Sequence, residues 1–274
     1  MSQSASIPKP VHRGKLRTFF GKEYFILKRR IRWWLKRNSF AKQNPQVDLP
    51  FLVFAHQSVL LRPLKDVDMH LQHNKVTNLR LAIHQLNGIV LRPGETFSIW
   101  KNVGRTRASK GYVLGLTLEN GTISSGIGGG LCQLGNLLYW MVLHTPLTIT
   151  ERWRHGYDVF PDVNRTIPFA CGATLSYNYV DLQFTNTTSD DYQVKLWLDD
   201  THLCGSIHTN QVPTSAFEVF ETDHHFSQQW WGGYTRHNRI WKRKTNLDIG
   251  EVCDELVSEN NAIMMYSPLI DGKV

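Results

Sequence analysis

Apolar residues near the start of the chain recur with helical spacing. Between about residues 15 and 37 they follow one another at intervals of four, three, four and three. This spacing predicts an amphipathic helix with one aromatic and aliphatic stripe and a basic remainder. The stripe consists of Phe20, Tyr24, Leu27, Ile31 and Trp34.

Two further segments show the same period. Residues 73–91 place Val76, Leu79, Ile83 and Leu86 three, four and three positions apart, which predicts a helix that ends near Gly88. A shorter helix is predicted directly after the glycine-rich sequence GIGGG of residues 126–130. Its apolar stripe consists of Leu134, Leu137, Leu138 and Met141.

The remaining patterns favour β structure. FLVFAHQSVLL (51–61) predicts a buried strand, GETFSIW (94–100) a turn and strand, and Asn120-Gly121 the turn of a hairpin. Alternation over residues 172–208 predicts a meander, and three segments beyond residue 216 predict more strands. We therefore expect an α+β fold: a β-rich, largely antiparallel sheet with a few packed helices and the N-terminal amphipathic basic helix.

Charge divides the chain into an arm and a body. The chain carries 31 Lys and Arg against 23 Asp and Glu, but eleven of the basic residues and only one acidic residue precede residue 38. We expect an arm at residues 1–49 and a domain at 50–274, with core motifs at about 75–210 and a C-terminal β extension at 211–274. The body lacks a basic face with interleaved aromatic residues, so no nucleic-acid partner is expected.

The basic helix has two interpretations. It could lie on an anionic membrane surface, or it could pack on its own domain with its cations in solvent. The predicted membrane-facing residues are Phe20, Leu27, Arg29, Arg30, Ile31, Arg32, Trp33 and Trp34.

Location is inferred from the absence of export signals in the sequence. The N-terminal residues do not resemble a secretory signal, and no apolar run is long enough to cross a membrane. The four cysteines do not form a dense disulfide framework. We expect a protein in the cytoplasm or peripheral on the inner membrane face, so that action in the cell envelope would need another export route.

The glycine run combined with Cys132 is the strongest candidate for chemistry. Consecutive backbone amides of Gly128, Gly129 and Gly130 could form a nest for an anion, with Gln133 beside it. The start of a helix favours a thiolate, so Cys132 could act as a nucleophile next to an oxyanion-binding loop. Alternatively, the glycines make a tight turn and Cys132 is a small buried apolar residue. A phosphate loop fits poorly, because no Lys-Ser/Thr pair follows.

A thiol nucleophile needs a base, which is usually histidine. Among twelve histidines, His155 is favoured because it lies in a polar loop with Asp158 and Asp162 nearby. His144 lies at the far end of the predicted helix, about 18 Å from Cys132. The pair His224-His225 lacks companions for a metal site, so neither a metal nor a cofactor is expected.

Four blocks of the sequence resemble the VanW family in the family's order: GETFSIWKNVGRTRASKGY, GIGGGLCQ, TERWRHGYDVFPDVNRT and ATLSYNYVDLQFTN. The resemblance is to the short members that accompany vancomycin-resistance clusters. It implies an accessory cell-wall protein, with Cys132 and His155 as the catalytic pair of an L,D-transpeptidase-like acyl transferase that acts on peptidoglycan stem peptides or precursors. The alternative is a non-catalytic protein that binds such precursors at the membrane surface. The oligomeric state is left open.

Overall fold

The computed structural model describes residues 14–61, 68–119, 122–154, 156–159 and 166–268. These residues form helices and mainly antiparallel sheets, so the predicted α+β class is confirmed. The α-helices described are α1 Lys15–Leu35, α2 Met69–Leu86, α3 Ile99–Val103 and α4 Cys132–Leu143. None of these is both long and apolar enough to cross a bilayer.

The described strands form four sheets. The strands are β1 Lys42–Gln43, β2 Phe51–Val59, β3 Ile89–Leu91, β4 Thr96–Ser98, β5 Leu114–Glu119, β6 Thr122–Ile127, β7 Thr148–Glu151, β8 Tyr157–Asp158, β9 Gln183–Thr185, β10 Tyr192–Leu198, β11 His202–Thr209, β12 Ser215–Gln228, β13 Tyr234–Asn246 and β14 Val252–Met264. The sheet orders are β1-β3-β10-β11-β2, β12-β13-β14-β8, β4-β9-β7 and β5-β6. Every described strand pair is antiparallel except β14 with β8.

Helix α4 lies at the centre of the hydrophobic core. Nine of its twelve residues are buried, so it is apolar around most of its circumference, as expected of a helix enclosed by other elements. It contacts β2 and β11 of the five-stranded sheet. Gly205 of β11 permits this approach, because a Cβ there would lie 2.8 Å from Cε of Met141. The burial of α4 fixes its first residue, Cys132, in the fold.

Several predicted elements are confirmed. Helix α2 ends at Leu86, next to the predicted Gly88, and β5 pairs with β6 as the predicted hairpin. The hairpin turn at Asn120-Gly121 lies outside the described residues. Helix α1 begins where predicted and ends two residues earlier.

Two β predictions were wrong in part. Strand β2 exists, but it is the edge strand of its sheet, and Leu52 and Val59 are exposed rather than buried. The predicted meander is regular only in the β10–β11 hairpin. Residues 172–182 are largely irregular, with an isolated bridge between Ser176 and Val180, because their backbone bonds to α4 and β7 instead of to a neighbouring strand.

Candidate active site around Cys132

The glycine run follows β6 and packs back against β5, the first strand of the same hairpin. The backbones of Gly115 and Gly129 approach so closely that a Cβ on Gly129 would lie 2.2 Å from the carbonyl oxygen of Gly115. The reverse contact, from a Cβ on Gly115 to the Gly129 oxygen, would be 2.5 Å. Neither position can hold a side chain without moving backbone. Packing is therefore one reason for glycine at this point.

The neighbouring glycines are required for two reasons each. Gly128 has φ +81° and packs on Thr106, and Gly130 has φ +93° and packs on Lys75. A Cβ on Gly130 would lie 2.2 Å from Cγ of Lys75. Positive φ favours glycine, so a residue with a side chain would be both strained and crowded here.

Asn78 of α2 holds the glycine loop to the hairpin. Its Nδ2 donates to the carbonyl oxygens of Gly129 at 2.9 Å and Val113 at 3.0 Å, and its Oδ1 accepts from the Val113 amide at 2.9 Å. The side chain is fully buried. Three hydrogen bonds from one amide thus join α2, the start of β5 and the glycine loop. The sequence did not single out Asn78, because the amphipathic pattern of α2 is carried by its apolar residues and does not predict a buried amide.

Two amides of the predicted anion nest already donate within the protein. The Gly128 amide donates to the Val113 carbonyl and the Gly129 amide to the Gly126 carbonyl, both at 3.0 Å. Within the described residues the Gly130 amide makes no such bond. An oxyanion site at this loop would therefore rest on Gly130 and the first amides of α4. The nest remains a prediction.

Cys132 is the first residue of α4, as predicted, and its side chain is half-buried. The expected preference for thiolate is not what this environment produces. Burial raises the pKa of the Cys132 thiol, and hydrogen bonds from the backbone of Leu175 and of Cys132 itself only partly oppose that effect. The free thiol is therefore protonated at neutral pH. The four cysteines, all within the described residues, form no disulfide.

Residues 172–175 lie along the first turn of α4. Asn136 Oδ1 accepts from the Ala173 amide at 2.8 Å, and the Leu175 side chain packs over Gly135, where a Cβ would be 3.1 Å from it. The backbone of Leu175 hydrogen-bonds to the Cys132 thiol. This segment forms one wall beside Cys132.

Gln133 connects α4 to the edge strand β2. Its Nε2 donates to Ser58 Oγ at 2.9 Å and to the Val59 carbonyl at 2.8 Å. Its Oε1 is buried and has no hydrogen-bond partner within the described residues. The predicted contact of Gln133 with substrate remains a prediction, and the structure gives its amide nitrogen a structural role.

His155 lies outside the described residues, as does Asp162. Both flanks of His155 are fixed: the Trp153 carbonyl accepts from the Thr174 amide at 2.7 Å, and the Gly156 carbonyl accepts from the Ile263 amide at 3.2 Å. Thr174 is adjacent to Leu175, whose backbone meets the Cys132 thiol. Trp153 therefore lies next to the wall of the site.

The described partners of Asp158, which was predicted to orient His155, belong to the C-terminal part of the chain, and its relation to His155 stays a prediction. Its Oδ2 accepts from Tyr266 Oη at 2.8 Å and from Arg236 Nη1 at 3.3 Å, and the side chain is 5% exposed. These bonds link β8 to the C-terminal sheet. Asp158 therefore stabilises that interface.

Sequence comparison identifies the family of the chain. A family model described as "VanW like protein" matches residues 74–208. The chain is 34% identical over 230 residues to Vancomycin B-type resistance protein VanW of Enterococcus faecalis, with 84% of this chain and 83% of the relative covered. The chain belongs to the VanW family. It is also 32% identical over 109 residues to the uncharacterized protein YoaR of Bacillus subtilis, covering 40% of this chain and 34% of YoaR. No solved structure matches this chain significantly.

The VanW region also contains a half-buried cation, Arg154, that the sequence patterns did not single out. Arg154 Nη1 is buried and has no hydrogen-bond partner within the described residues. Burial, with repulsion from Arg152, lowers the pKa of the Arg154 guanidinium. Arg152 is already engaged by the Gly172 carbonyl at 2.9 Å and by stacking on Tyr139. A buried guanidinium nitrogen with no partner among the described residues favours an incoming carboxylate. The Arg pair flanking Trp153 was the available signal in the sequence.

A second missed residue of the VanW region is Asp181, which is completely buried. Burial raises the pKa of the Asp181 carboxyl to about 7, although hydrogen bonds from Ser98 Oγ at 2.6 Å and the Trp100 amide at 3.2 Å favour the charged form. It follows Val180, and its own amide donates to Glu151. This carboxyl organises the strand ends behind the site.

The other candidate histidines are used elsewhere. His144 stacks on Phe54 with ring centroids 3.9 Å apart, at the end of α4 distant from Cys132. His224 accepts from Arg236 Nε at 2.9 Å, and His225 stacks on His237. Within the described part of the chain no three His, Cys, Asp or Glu side chains come together as a metal-binding group.

Proposed function

We propose that this protein is an accessory vancomycin-resistance protein in which Cys132 accepts an acyl group from a peptidoglycan stem peptide. Its relative in Enterococcus faecalis is named as a vancomycin resistance protein. The observation that carries the chemical part is the position of Cys132. Its half-buried thiol stands at the start of α4, between the glycine loop and residues 172–175.

The proposed reaction is an acyl transfer in two steps. The sulfur of Cys132 attacks a peptide carbonyl of the stem, the C–N bond breaks, and D-alanine leaves with a proton on its amine. An amine of a neighbouring stem then attacks the thioester, forms a new amide and releases the thiol. Neither step requires an oxidant or a metal.

The raised pKa of the Cys132 thiol means that a base must remove its proton when substrate is bound. His155 is the proposed base, because Trp153, two residues before it, is bonded to Thr174 at the wall of the site. The developing oxyanion would accept hydrogen bonds from the Gly130 amide and the first amides of α4. Arg154 could bind the terminal carboxylate of the stem.

The second candidate function is binding of a peptidoglycan precursor without chemistry. Two observations favour it: burial opposes formation of the thiolate, and the Gly128 and Gly129 amides are engaged within the loop. The two functions differ in whether a covalent bond forms at Cys132.

A carbapenem separates these functions, because it acylates an activated cysteine and the adduct changes the mass of the protein. We expect one stable adduct on Cys132 in the full chain, none in Cys132→Ala, and at least a tenfold slower reaction in His155→Ala. Cys253→Ala is the matched control, since that exposed thiol is on β14 and its removal should leave the adduct unchanged.

The opposite outcome is equally clear. No adduct on Cys132, combined with binding of a stem pentapeptide that Cys132→Ala retains and Arg154→Gln loses, contradicts the acyl transferase and supports the binding protein. Loss of the adduct from Cys253→Ala alone would show nonspecific thiol labelling.

A further inference from the structure

Helix α1 docks on the domain through one face and leaves its apolar stripe in solvent. Ile26 is buried, Trp33 packs on the hydrophobic core, and Arg29 pairs with Glu151. About one turn before Ile26, the Glu23 carboxylate pairs with Arg105, with Oε1 and Nη2 3.0 Å apart. Successive residues turn by about 100° around a helix, so Ile26, Arg29 and Trp33 share one side.

The predicted stripe lies on nearly the opposite side. Its members span about 80° of the circumference, centred about 150° from the docked face. They are exposed to between 50% and 67%: Phe20 66%, Tyr24 59%, Leu27 57%, Ile31 50% and Trp34 67%. A helix that needed these residues for its own packing would bury them. Within the described residues the stripe is therefore an unpartnered apolar surface about 20 Å long.

Basic residues flank the stripe. Arg17 and Lys28 are exposed and lie along one edge of it, and the exposed Arg32 lies about 80° beyond that edge, as the helical period requires. The docked Arg29 and the partly buried Trp33 are removed from the predicted membrane-facing set, because the structure turns them toward the domain. Arg30 is exposed and donates to Tyr177 Oη at 3.3 Å. What remains combines aromatic and aliphatic side chains with a row of cations.

We propose that α1 binds an anionic phospholipid surface through this stripe while its opposite face stays docked on the domain. Apolar side chains enter the acyl boundary, and the flanking cations meet the headgroups. The excess of eleven basic residues over one acidic residue before residue 38 matches a negative surface. A second copy of the chain would bring the same basic helix against this face, so like-charge repulsion disfavours that occupant.

The test is cosedimentation of the full-length chain with vesicles of phosphatidylcholine containing phosphatidylglycerol, compared with pure phosphatidylcholine. We expect binding only to the anionic vesicles, weakened when salt rises from 0.1 to 0.5 M, because screening shortens the reach of the charges. Phe20→Ser/Trp34→Ser should bind at least tenfold more weakly. The matched control is Val212→Ser/Trp230→Ser, which removes two equally or more exposed apolar side chains from other surfaces.

Charge is tested separately with Arg17→Gln/Lys28→Gln. At about fivefold for each cation near the headgroups, the pair should lose about 25-fold in binding. Arg80→Gln/Lys244→Gln is the control with the same change in net charge. Thermal unfolding of all variants checks that α1 and the domain remain folded.

Equal binding by wild type and Phe20→Ser/Trp34→Ser would overturn the proposal, as would equal binding to neutral vesicles. A wild-type dimer in sedimentation velocity that becomes monomeric in Phe20→Ser/Trp34→Ser, without vesicle binding by either, would assign the stripe to a second copy. The acyl-transfer proposal is read from the carbapenem adduct and is independent of these results.

Discussion

Arg29 of α1 and Glu151 of β7 form a two-point ion pair, with Nη1–Oε2 at 2.5 Å and Nη2–Oε1 at 2.8 Å. The side chains are only 11% and 18% exposed. Glu151 also accepts from the Asp181 amide at 3.2 Å and from Gln183 Nε2 at 3.1 Å. The pair therefore joins the basic helix to β7, the strand that is followed by Trp153 at the wall of the site.

Arg29→Gln should release α1 from the domain. It leaves the Glu151 carboxylate partly buried without its cation, and breaking such a pair costs about 3 kcal/mol of the free energy of unfolding. Urea unfolding measures the loss, and limited proteolysis should cut first within α1.

Arg239→Gln is the comparison for Arg29→Gln. Arg239 pairs with Asp223 and Glu259, but its side chain is 49% exposed. Exposed pairs contribute less than about 1 kcal/mol, so this change should barely alter unfolding. Equal effects of the two substitutions would contradict the structural role assigned to Arg29.

Asp181 should make stability depend on pH. Burial raises the pKa of its carboxyl from 3.8 to about 7, so between these values the folded chain holds a proton that the unfolded chain has lost. Its contribution to stability therefore falls as pH rises from about 4 to about 7, by up to about 1.4 kcal/mol per pH unit, and is constant above. Asp181→Asn is neutral at every pH and should flatten this part of the profile.

Urea unfolding at intervals between pH 4.5 and 8.5 measures the Asp181 effect. The free energy of unfolding should depend on pH most differently in wild type and Asp181→Asn below pH 7. Above pH 7 the two profiles should be parallel. Parallel profiles across the whole range would show that Asp181 is ionised in the folded protein.

Gly129→Ala should destabilise the domain by about 3 kcal/mol or more, because the new methyl group would overlap the Gly115 carbonyl and the backbone must move. Gly21→Ala is the control. Gly21 lies within α1, and a Cβ there would have no other atom within 4 Å. Alanine at this position should therefore raise the free energy of unfolding by about 0.5–1 kcal/mol through its higher helix propensity. Thermal unfolding distinguishes the two, and a neutral Gly129→Ala would refute the close approach.

Alkylation should distinguish the four thiols. At pH 8 iodoacetamide should modify the exposed Cys253 first, Cys132 much more slowly, and the buried Cys171 and Cys204 only after unfolding. Because burial raises the Cys132 pKa, its rate should still increase above pH 9. Mass spectrometry of tryptic peptides gives each rate. A Cys132 that reacts at a constant rate between pH 6 and 9 would be a stable thiolate.

The sequence predicted elements wherever a local pattern determines them. The period of three and four located α2 through Leu79 and Leu86, and the stripe through Phe20 and Trp34 located α1. Helix α4 followed from the apolar residues after Cys132. In each case one face of the element decides its conformation, so the residues along the chain carry the information.

Predictions failed where contacts with residues distant in the chain determine the structure. The apolar run of β2 gave no sign that β11 pairs with one side and that no described strand pairs with the other, so an edge strand was predicted as buried. The glycine run was interpreted as an anion nest, whereas Gly129 also has to meet Gly115. The basic face of α1 could not show that Arg29 alone turns inward to Glu151.

The bonds of Asn78 also set how the site can fluctuate. The Val113 amide donates to Asn78 Oδ1, and the Val113 carbonyl accepts from the Gly128 amide. Solvent hydrogen can reach the Val113 amide only when α2 separates from the hairpin, and that opening also frees the glycine loop. The exchange rate of this one amide therefore reports how often the backbone in front of Cys132 leaves its native conformation.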